Sequence, residues 1–355
     1  MKIIVFDVPA SSGGALSILN EFYLEVKENS PKDVEWIFVL SEPFLEETSN
    51  IKVLRFPWIK NSWLHRIYFD QFVAPKLVKK YKVDKIFSLQ NVTIPRTKMK
   101  QVLYVHQPLP FVGYKFTFKE NKLFWVYQNI ISRKIIASIK KAEKTIVQTN
   151  WMKEAIVKQA GVKPNKIDII PPTINVDIKR YFEPTDQSLR TFFYPASASY
   201  YKNHRLIVDA VSGLTKSELV GLNFIFTLNG DEDEHIKELY ERVEKENLPI
   251  QFIGSISKEQ VFDYYTKSIL IFPSYIETFG LPLLESRIHK GIILAGKTVF
   301  SCEILDGYSN VVYFDTNDSN SLLLVIRKIN DINYNYNHEF RSCLVDKKIY
   351  EIVLN

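Results

Sequence analysis

The sequence predicts an α/β protein of two domains, each a doubly wound parallel sheet, facing each other across a cleft. Short apolar runs alternate with helical stretches along nearly the whole chain of 355 residues, and this alternation is typical of βαβ units in a parallel sheet. A chain of this length can bury two separate cores. Two prolines and then a polar stretch, within 171–190, separate a first series of strands from a second. We therefore expect a domain boundary there.

The first domain is predicted to span residues 1–178. It begins with a buried strand at 2–6, a loop at 9–14 that contains two glycines, and a helical pattern. Later apolar runs predict strands at 34–40, 51–56, 85–89, 102–106 and 145–148, and another just before Pro171. Helices are expected at 64–81, 122–142 and 150–160.

The second domain is predicted to span residues 179–335 and to repeat the alternation. Its apolar runs predict strands near 191–195, 223–228, 250–253, 268–272, 292–295 and 311–314. Between them, helices are expected at 203–212, 232–246, 258–266, 281–289 and 320–330. The last segment, 336–355, is predicted to be a C-terminal helix that could return to the first domain.

The composition is ordinary for a soluble globular protein, with 46% hydrophobic and 24% charged residues. The two cysteines, Cys302 and Cys343, are not in a metal-like spacing, so neither a structural zinc site nor a disulfide framework is expected. Asp7 interrupts the first apolar run too early for a secretory signal. No apolar run approaches the roughly 18 residues that span a bilayer. We expect a cytoplasmic protein.

Positive charge is concentrated in the first half of the chain. Residues 1–175 carry 27 lysines and arginines against 15 aspartates and glutamates, whereas 176–355 carry 19 against 25. Residues 51–150 alone carry 20 lysines and arginines against 4 aspartates and glutamates, and aromatic residues lie among the basic residues at 113–144. Such a surface suits a phosphate-bearing substrate, an anionic membrane or a nucleic acid, although many of the aromatic residues could instead be core.

The most informative segment is 277–285, which reads Glu-Thr-Phe-Gly-Leu-Pro-Leu-Leu-Glu. An apolar strand ends just before it and a helical pattern follows. Glu277 is therefore expected at the carboxyl end of a strand and Glu285 about one turn inside a helix, at the edge where open α/β sheets bind ligands. An ordinary helix start with nearby acidic residues is the alternative, but the strand and the Phe-Gly-Leu-Pro turn together favour a binding site.

Two other strand ends carry candidates. Gly13 and Gly14 lie between the first strand and its helix, where backbone amides can converge on an anion or form only a tight turn. His106 ends a strand before a loop stiffened by proline. It could hydrogen-bond a substrate hydroxyl, or it could be purely structural.

Charged residues at two helix starts complete the set. Lys202 precedes a helix whose N-cap is predicted to be Asn203. A lysine there opposes the helix dipole, so a bound phosphate would relieve the mismatch; a solvated lysine is the alternative. The acidic residues at 229–235 could bind magnesium, but acids that open a helix more often complement its dipole, and no metal site is expected.

Together these motifs resemble the retaining glycosyltransferases of the GT-B fold that carry a Glu-x7-Glu fingerprint, including those of bacterial surface-polysaccharide synthesis. The resemblance covers most of the chain: the Gly-Gly loop, the His-x-Pro strand tip at 106–108, and the stretches 149–154, 169–175, 201–204 and 273–285. It implies two Rossmann-like domains around a central cleft, the first binding the acceptor and the second the nucleotide-diphosphate-sugar donor.

The resemblance also implies roles for single residues. Glu285 would accept hydrogen bonds from the ribose of the donor, and Glu277 would face the donor sugar near the reacting centre. Lys202 would neutralise the leaving diphosphate in place of a metal, so no metal or other cofactor is implied. His106 would contact an outer hydroxyl of the donor sugar. The remaining donor contacts would come from the backbone of Gly13, Gly14, Phe279, Gly280 and Leu281.

The chain departs from the family pattern in two places. Many relatives have an arginine a few residues before the lysine, whereas this chain reads Pro-Ala-Ser-Ala-Ser-Tyr-Tyr at 195–201; Arg205 is the candidate to replace it. The stretch after Glu285 also differs from the alanine-rich stretch that is more common in the family.

The leading interpretation is a retaining, metal-independent transferase that extends a glycan or a polyprenyl-diphosphate-linked acceptor on the inner face of the cell membrane. The basic first domain favours an anionic membrane surface as a partner. The acidic second half and the lack of a recognition motif argue against nucleic acid. A nucleotide-sugar 2-epimerase-like isomerase and a non-catalytic nucleotide-sugar-binding subunit are the alternatives.

Overall fold

The computed structural model describes residues 1–11, 13–172, 178–329, 334 and 348–355. The chain divides into two compact units. Unit 1 comprises Met1–Thr173 with Cys343–Asn355, and unit 2 comprises Ile174–Ser342.

Within its described residues, unit 1 is built on a parallel sheet of seven strands in the order β3-β2-β1-β4-β5-β6-β7. Alternate residues of β1 enter two cores, Ile3 and Val5 on one face and Ile4 and Phe6 on the other. Because both faces are covered, the strands are continuous apolar runs. The strands are β1 (Lys2–Asp7), β2 (Glu35–Leu40), β3 (Ile51–Arg55), β4 (Lys85–Ser88), β5 (Lys100–Tyr104), β6 (Lys144–Val147) and β7 (Ile167–Ile169).

Helices alternate with these strands. They are α1 (Gly13–Asn29), α2 (Trp63–Tyr68), α3 (Ala74–Tyr81), α4 (Lys122–Val126), α5 (Ser132–Lys141) and α6 (Asn150–Ala160). In the described part of the chain, no helix of either unit is long and apolar enough to cross a bilayer.

Two of the predicted helices are interrupted by π turns, at Phe69–Val73 and Tyr127–Ile131. The sequence predicts single helices at 64–81 and 122–142. Pro75 accounts for the first interruption, because it has no N–H to donate to the preceding turn. The second π turn has no comparable proline, and nothing in the structure explains it.

Unit 2 has, among its described residues, a parallel sheet of six strands in the order β10-β9-β8-β11-β12-β13. The strands are β8 (Thr191–Tyr194), β9 (Asn223–Phe226), β10 (Ile250–Phe252), β11 (Ile269–Phe272), β12 (Ile293–Gly296) and β13 (Val311–Phe314). The helices are α7 (His204–Ser212), α8 (Lys216–Leu219), α9 (Glu234–Glu246), α10 (Lys258–Lys267), α11 (Leu281–Ile288), α12 (Val299–Ile304) and α13 (Ser319–Arg327).

The helices α8 and α12 are absent from the sequence-based prediction. Each has at most six residues, which is too short for a helical periodicity to stand out. Each begins with a capping box, formed by Thr215 with Glu218 in α8 and by Thr298 with Ser301 in α12. The first of these matches the Ser/Thr-x-x-Glu signature and could have been found.

The C-terminal helix belongs to unit 1. Helix α14 (Ile349–Leu354) packs on α1, and Ile352 and Val353 join the core cluster that contains Phe22. The rest of the segment predicted as a C-terminal helix, 336–347, lies outside the described residues.

The strand order decides which loops meet at the carboxyl edge of each sheet. In unit 2, β8 and β11 are hydrogen-bonded neighbours near the middle of the sheet. The loops that follow them, 195–203 and 273–280, therefore lie side by side. In unit 1, β4 pairs with β1 on one side and with β5 on the other, which brings together the loops after these three strands.

Candidate active site

Lys202 and Glu277 meet at the carboxyl edge of unit 2, although they are 75 positions apart. The Lys202 ammonium donates a hydrogen bond to Glu277 Oε1 and forms an ion pair with it. Ser274 Oγ donates to the same oxygen at 2.8 Å. The two charged side chains are 16% and 15% exposed, so the pair is largely buried but a small part of each partner remains accessible.

Backbone hydrogen bonds fix the loop that carries Lys202. The Tyr201 carbonyl accepts from the amide of Tyr275 at 3.1 Å, and Ser274 Oγ, whose single proton points to Glu277 at the shorter distance, lies 3.2 Å from the same carbonyl. The Tyr194 hydroxyl donates to the carbonyl of Lys202 at 2.7 Å. The lysine is therefore held in place before any ligand binds, and this pre-organisation lowers the entropy lost on binding.

Lys202 keeps its charge in spite of its burial. Burial disfavours the ammonium, but the Glu277 carboxylate and Tyr201 favour it, and the net effect raises the pKa of Lys202 above its ordinary value. From the sequence, a bound phosphate was expected to supply the negative charge that offsets Lys202. In the structure Glu277 supplies that charge, so an incoming diphosphate would compete with Glu277 for the ammonium.

Asn203 directly precedes helix α7. It occupies the N-cap position, but its φ of 61° is left-handed and its side chain makes no capping bond. A capping side chain requires an extended N-cap backbone. Asn203 Nδ2 instead donates to the carbonyl of Thr316 at 2.9 Å and to that of Pro273 at 3.4 Å. The predicted N-cap position of Asn203 is confirmed, but its side chain ties together the loops that follow β8, β11 and β13.

The segment between the two carboxylates forms a turn and the start of helix α11. Gly280 is the N-cap residue, with a left-handed φ of 89° that strains any L side chain. Phe279 is buried and anchors the turn. Gly280 has no side chain with which to cap this helix, so within the described residues the helix start can receive an anion. Pro282 occupies a first-turn position where no N–H is needed.

Glu285 lies one turn inside α11, as the spacing predicted. Its Oε2 accepts a hydrogen bond from the hydroxyl of Tyr265 at 3.0 Å, and Tyr265 is fully buried in α10. Burial raises the pKa of Glu285, while the Tyr265 hydroxyl and the charge of Lys258 act in the opposite direction. The carboxylate is thus oriented by one hydrogen bond and has a second oxygen that can accept others.

Arg205 lies apart from the pair of Lys202 and Glu277. It is exposed on the first turn of α7, and its guanidinium contacts Glu238 of α9 at 3.5 Å. An exposed pair of this length contributes little to stability, so the guanidinium is held only weakly where it lies.

The acidic segment 229–235 serves its own loop and helix. Glu232 accepts from the amides of Asn229 and Gly230, and Asp233 caps α9 by accepting from the amide of Ile236. Across the described ranges, no group of three or more His, Cys, Asp or Glu side chains is assembled that could hold a metal ion.

In unit 1, His106 follows β5 and contacts the loop after β4. Its backbone amide donates to Asn91 Oδ1 at 2.8 Å, and its Nε2 lies 3.2 Å from Asn91 Nδ2. Nδ1 is buried and has no hydrogen-bond partner among the described residues. Burial lowers the pKa of His106 to about 4, so the imidazole is neutral at physiological pH and cannot act there as a cation.

Gly13 and Gly14 open helix α1, as predicted for the loop after β1. Gly13 has a left-handed φ of 59°, and, apart from the chain neighbours and the backbone of the helix itself, no heavy atom of the described residues lies within 4 Å of the position that a Cβ would take at either glycine. The space beside them would admit a ligand, and side chains would fill part of it.

Asp7 ends β1 and is a buried carboxyl group to which the sequence analysis gave no role in the site. It is 1% exposed, and in the described part of the chain neither carboxylate oxygen accepts a hydrogen bond of good geometry. Burial raises its pKa to about 7, against the charge of Arg66, the nearby backbone amide of Ala10 and, more weakly, the charge of Lys60. Lys60 donates to the carbonyl of Pro9 at 2.7 Å and holds the loop above Asp7.

Three residues that touch the candidates were missed by the sequence analysis. They are Asn91, Ser274 and Tyr265. Asn91 and Ser274 are polar residues that follow the carboxyl ends of β4 and β11, and this position could have identified them from the sequence. Tyr265 lies within a helix and has no such signal.

Two family models match the chain in succession. The model for Glycosyltransferase Family 4 matches residues 33–178. The model for Glycosyl transferases group 1 matches residues 176–342, which include Lys202, Glu277 and Glu285. Together the two models cover residues 33–342, and the chain is a glycosyltransferase of the family 4-like group 1 type. No curated protein sequence shows a significant match to this glycosyltransferase.

Solved structures resemble this glycosyltransferase over nearly its full length. Anabaena Alr3699/HepE, in complex with UDP and glucose, matches with a TM-score of 0.63 and 16% identity, covering 93% of this chain and 90% of that one. WaaG, a glycosyltransferase involved in lipopolysaccharide biosynthesis, matches with a TM-score of 0.68 and 13% identity over the same shares. The apo form of the lipopolysaccharide outer core galactosyltransferase WaaB matches with a TM-score of 0.66 and 15% identity, covering 94% of this chain and 92% of that one. At these identities the likeness establishes the fold, which is the two-domain GT-B fold.

Proposed function

We propose that this glycosyltransferase moves a sugar from a nucleotide-diphosphate-sugar to a glycan or a polyprenyl-diphosphate-linked glycan, with retention and without a metal, during synthesis of a surface polysaccharide. The observation that carries the proposal is the grouping in unit 2 of a charged, largely buried lysine, two carboxylates and an uncapped helix start. The UDP bound to HepE and the lipopolysaccharide role of WaaG support the donor and the pathway.

Lys202 would bind the donor diphosphate and offset the negative charge that develops as the sugar leaves. The uncapped start of α11 would bind the same phosphates through its backbone amides. Once the ammonium turns towards the diphosphate, Glu277 would lose its counter-ion and be able to accept hydrogen bonds from the donor sugar. Glu285 would accept from the ribose.

In the proposed reaction, the bond between C1 of the sugar and the diphosphate oxygen breaks, and the acceptor oxygen bonds C1 on the same face. The proton of the acceptor hydroxyl passes to the departing diphosphate oxygen. This assignment requires no basic side chain, which agrees with the ion-paired state of Glu277. It requires a positive charge beside the diphosphate, and Lys202 would supply it.

Donor turnover tests the proposal. The protein is incubated with UDP-, GDP-, ADP- and CDP-sugars and a polyprenyl-diphosphate-linked glycan as acceptor, with and without EDTA, and release of the nucleoside diphosphate is measured. We expect one nucleotide class to be consumed, equally in EDTA, and proton NMR of the product to show the anomeric configuration of the donor. Loss of activity in EDTA would contradict metal independence, and an inverted product would contradict retention.

Replacing Tyr265 with phenylalanine is expected to raise the KM for the donor about tenfold and to change kcat little. The hydroxyl orients Glu285, and loss of a hydrogen bond to a charged group is typically worth about 1.5–3 kcal/mol. Steady-state kinetics with varied donor checks this. The matched control is Tyr264→Phe, since Tyr264 stacks on Phe193 and its change should leave KM unaltered. Equal effects of the two variants would contradict the assignment.

A peripheral contact with an anionic membrane is also proposed, through an apolar-basic patch on unit 1. The patch consists of large, exposed apolar side chains on α2, on the first π turn and in the segment 118–130. These residues are Trp63, Leu64, Ile67, Phe72, Phe118, Leu123 and Ile130. Asp70 of the first π turn links α2 to α5, the helix that follows the segment 118–130, because it accepts from Arg66 at 3.0 Å and from Lys134 at 3.2 Å. Apolar side chains among an excess of bases are typical of membrane interfaces.

The double variant Trp63→Ser/Leu64→Ser is expected to reduce sedimentation with anionic vesicles at least tenfold. The two side chains are 59% and 76% exposed, and burial of each in the interface contributes about 1.5–3 kcal/mol. Salt should release the wild-type protein, and neutral vesicles should not bind it. Leu324→Ser, at an exposed leucine of unit 2, is the control. Unchanged sedimentation of the double variant would refute the patch.

A further inference from the structure

Asn91 holds the His106 loop through three polar contacts. Its Oδ1 accepts from the backbone amide of His106 at 2.8 Å and from that of Gln107 at 3.0 Å. Its Nδ2 lies 3.2 Å from His106 Nε2. One side chain from the loop after β4 thus contacts both the backbone and the ring of the histidine after β5.

These contacts determine the orientation of the Asn91 amide. The two backbone N–H groups are donors, so the atom between them must be the carbonyl oxygen. The NH2 group then faces the imidazole. An amide NH2 can only donate, so His106 Nε2 must accept and must carry no proton. The single ring proton of the neutral imidazole is therefore on Nδ1.

We propose that Asn91 is a positioning residue that fixes His106 as the Nδ1–H tautomer. Nδ1 is the ring atom that is buried and without a hydrogen-bond partner among the described residues, so no described residue competes for its proton. Protonation of Nε2 would place two donors against each other. Asn91 and burial thus both hold the ring neutral.

The backbone of Asn91 restricts which residues can take this role. Its φ is 64°, in the left-handed region, where asparagine is among the few non-glycine residues that are tolerated. Glycine would fit the backbone but would lose all three contacts. Aspartate would keep the bonds to the two amides but would present a second acceptor to Nε2.

For substrate recognition, this inference rests on the proposed function. A fixed Nδ1–H donor selects a ligand atom with a free lone pair, such as the oxygen of a sugar hydroxyl, and cannot accept a proton from that hydroxyl. Towards such a hydroxyl, His106 would therefore act as a hydrogen-bond donor. It would take no part as a general base.

The test is the tautomer of His106, read from two-bond nitrogen–proton correlations in protein labelled with nitrogen-15 in histidine. The His106→Gln spectrum identifies the signals. The wild-type protein should show protonated Nδ1 and unprotonated Nε2. Asn91→Asp should move the proton to Nε2 or leave both nitrogens protonated. It should also lower kcat/KM for the donor roughly tenfold, as expected for one lost hydrogen bond.

Asn247→Asp is the matched control, because Asn247 is a left-handed asparagine that ends α9 in unit 2. It should leave the His106 signals unchanged. A wild-type Nε2–H tautomer, or an Asn91→Asp variant that keeps the Nδ1–H form, would overturn the inference. A wild-type Nδ1–H tautomer in a protein that turns over no nucleotide-sugar would refute the proposed function and leave the inference intact.

Discussion

Lys202→Met is expected to lower kcat for sugar transfer by roughly 10²–10³-fold, the typical effect of removing one group that stabilises developing charge. Methionine keeps the length of the side chain but has no charge to offset the leaving diphosphate. Steady-state kinetics with the donor identified by turnover checks this. The matched control is Lys267→Met, which removes an exposed lysine paired with Asp263 and should change kcat less than twofold.

The same substitution should also destabilise the protein, because it leaves the largely buried Glu277 carboxylate without its counter-ion. Breaking a buried ion pair on one side typically costs about 3–5 kcal/mol. The double variant Lys202→Met/Glu277→Gln removes the unpaired charge and should recover most of that stability in urea denaturation. It should recover none of the activity. Recovery of both would mean that Lys202 acts only through the fold.

Asp7→Asn is expected to stabilise the protein at pH 8 by on the order of 4 kcal/mol and to have little effect near pH 4. The pKa of Asp7 is raised from its ordinary 3.8 to about 7 in the folded protein. Between these values the folded state binds the extra proton, so its stability falls as pH rises. The penalty is absent below about 3.8 and complete above about 7, and asparagine does not incur it.

Urea denaturation of both proteins at several pH values measures this difference. Asp33→Asn is the control, since Asp33 is an exposed aspartate of the same unit and its change should give a difference near zero at every pH. A stabilisation by Asp7→Asn that does not grow between pH 4 and pH 7 would show that Asp7 is charged in the folded protein throughout this range.

Most strands and long helices were predictable because their signals are local. A strand buried on both faces is a continuous apolar run, as in β1 and β11, and a helix such as α9 shows its period over several turns. The π turns were not predictable in the same way. Pro75, which follows the first π turn, could have indicated a break in that helix, but the helical stretch 122–142 contains no proline.

The candidate site was predictable where it lies within one segment. Glu277, Gly280 and Glu285 belong to a single strand-turn-helix unit, and the structure places them as their spacing predicted. The pairing of Lys202 with Glu277 depends on β8 lying beside β11, and strand order is not recorded in local periodicity. The contact of Asn91 with His106 depends in the same way on β4 lying beside β5.

Nucleotide binding tests the central claim most directly. The wild-type protein, Glu285→Ala and Lys202→Met are heated with UDP, GDP, ADP and CDP, and the unfolding midpoints are compared. A diphosphate at 100 times its Kd stabilises the folded state by about 2.7 kcal/mol. We predict that one nucleoside diphosphate raises the midpoint of the wild-type protein and that both variants lose most of this shift. A flat response to all four nucleotides, or an unchanged shift in both variants, would contradict the proposed donor site.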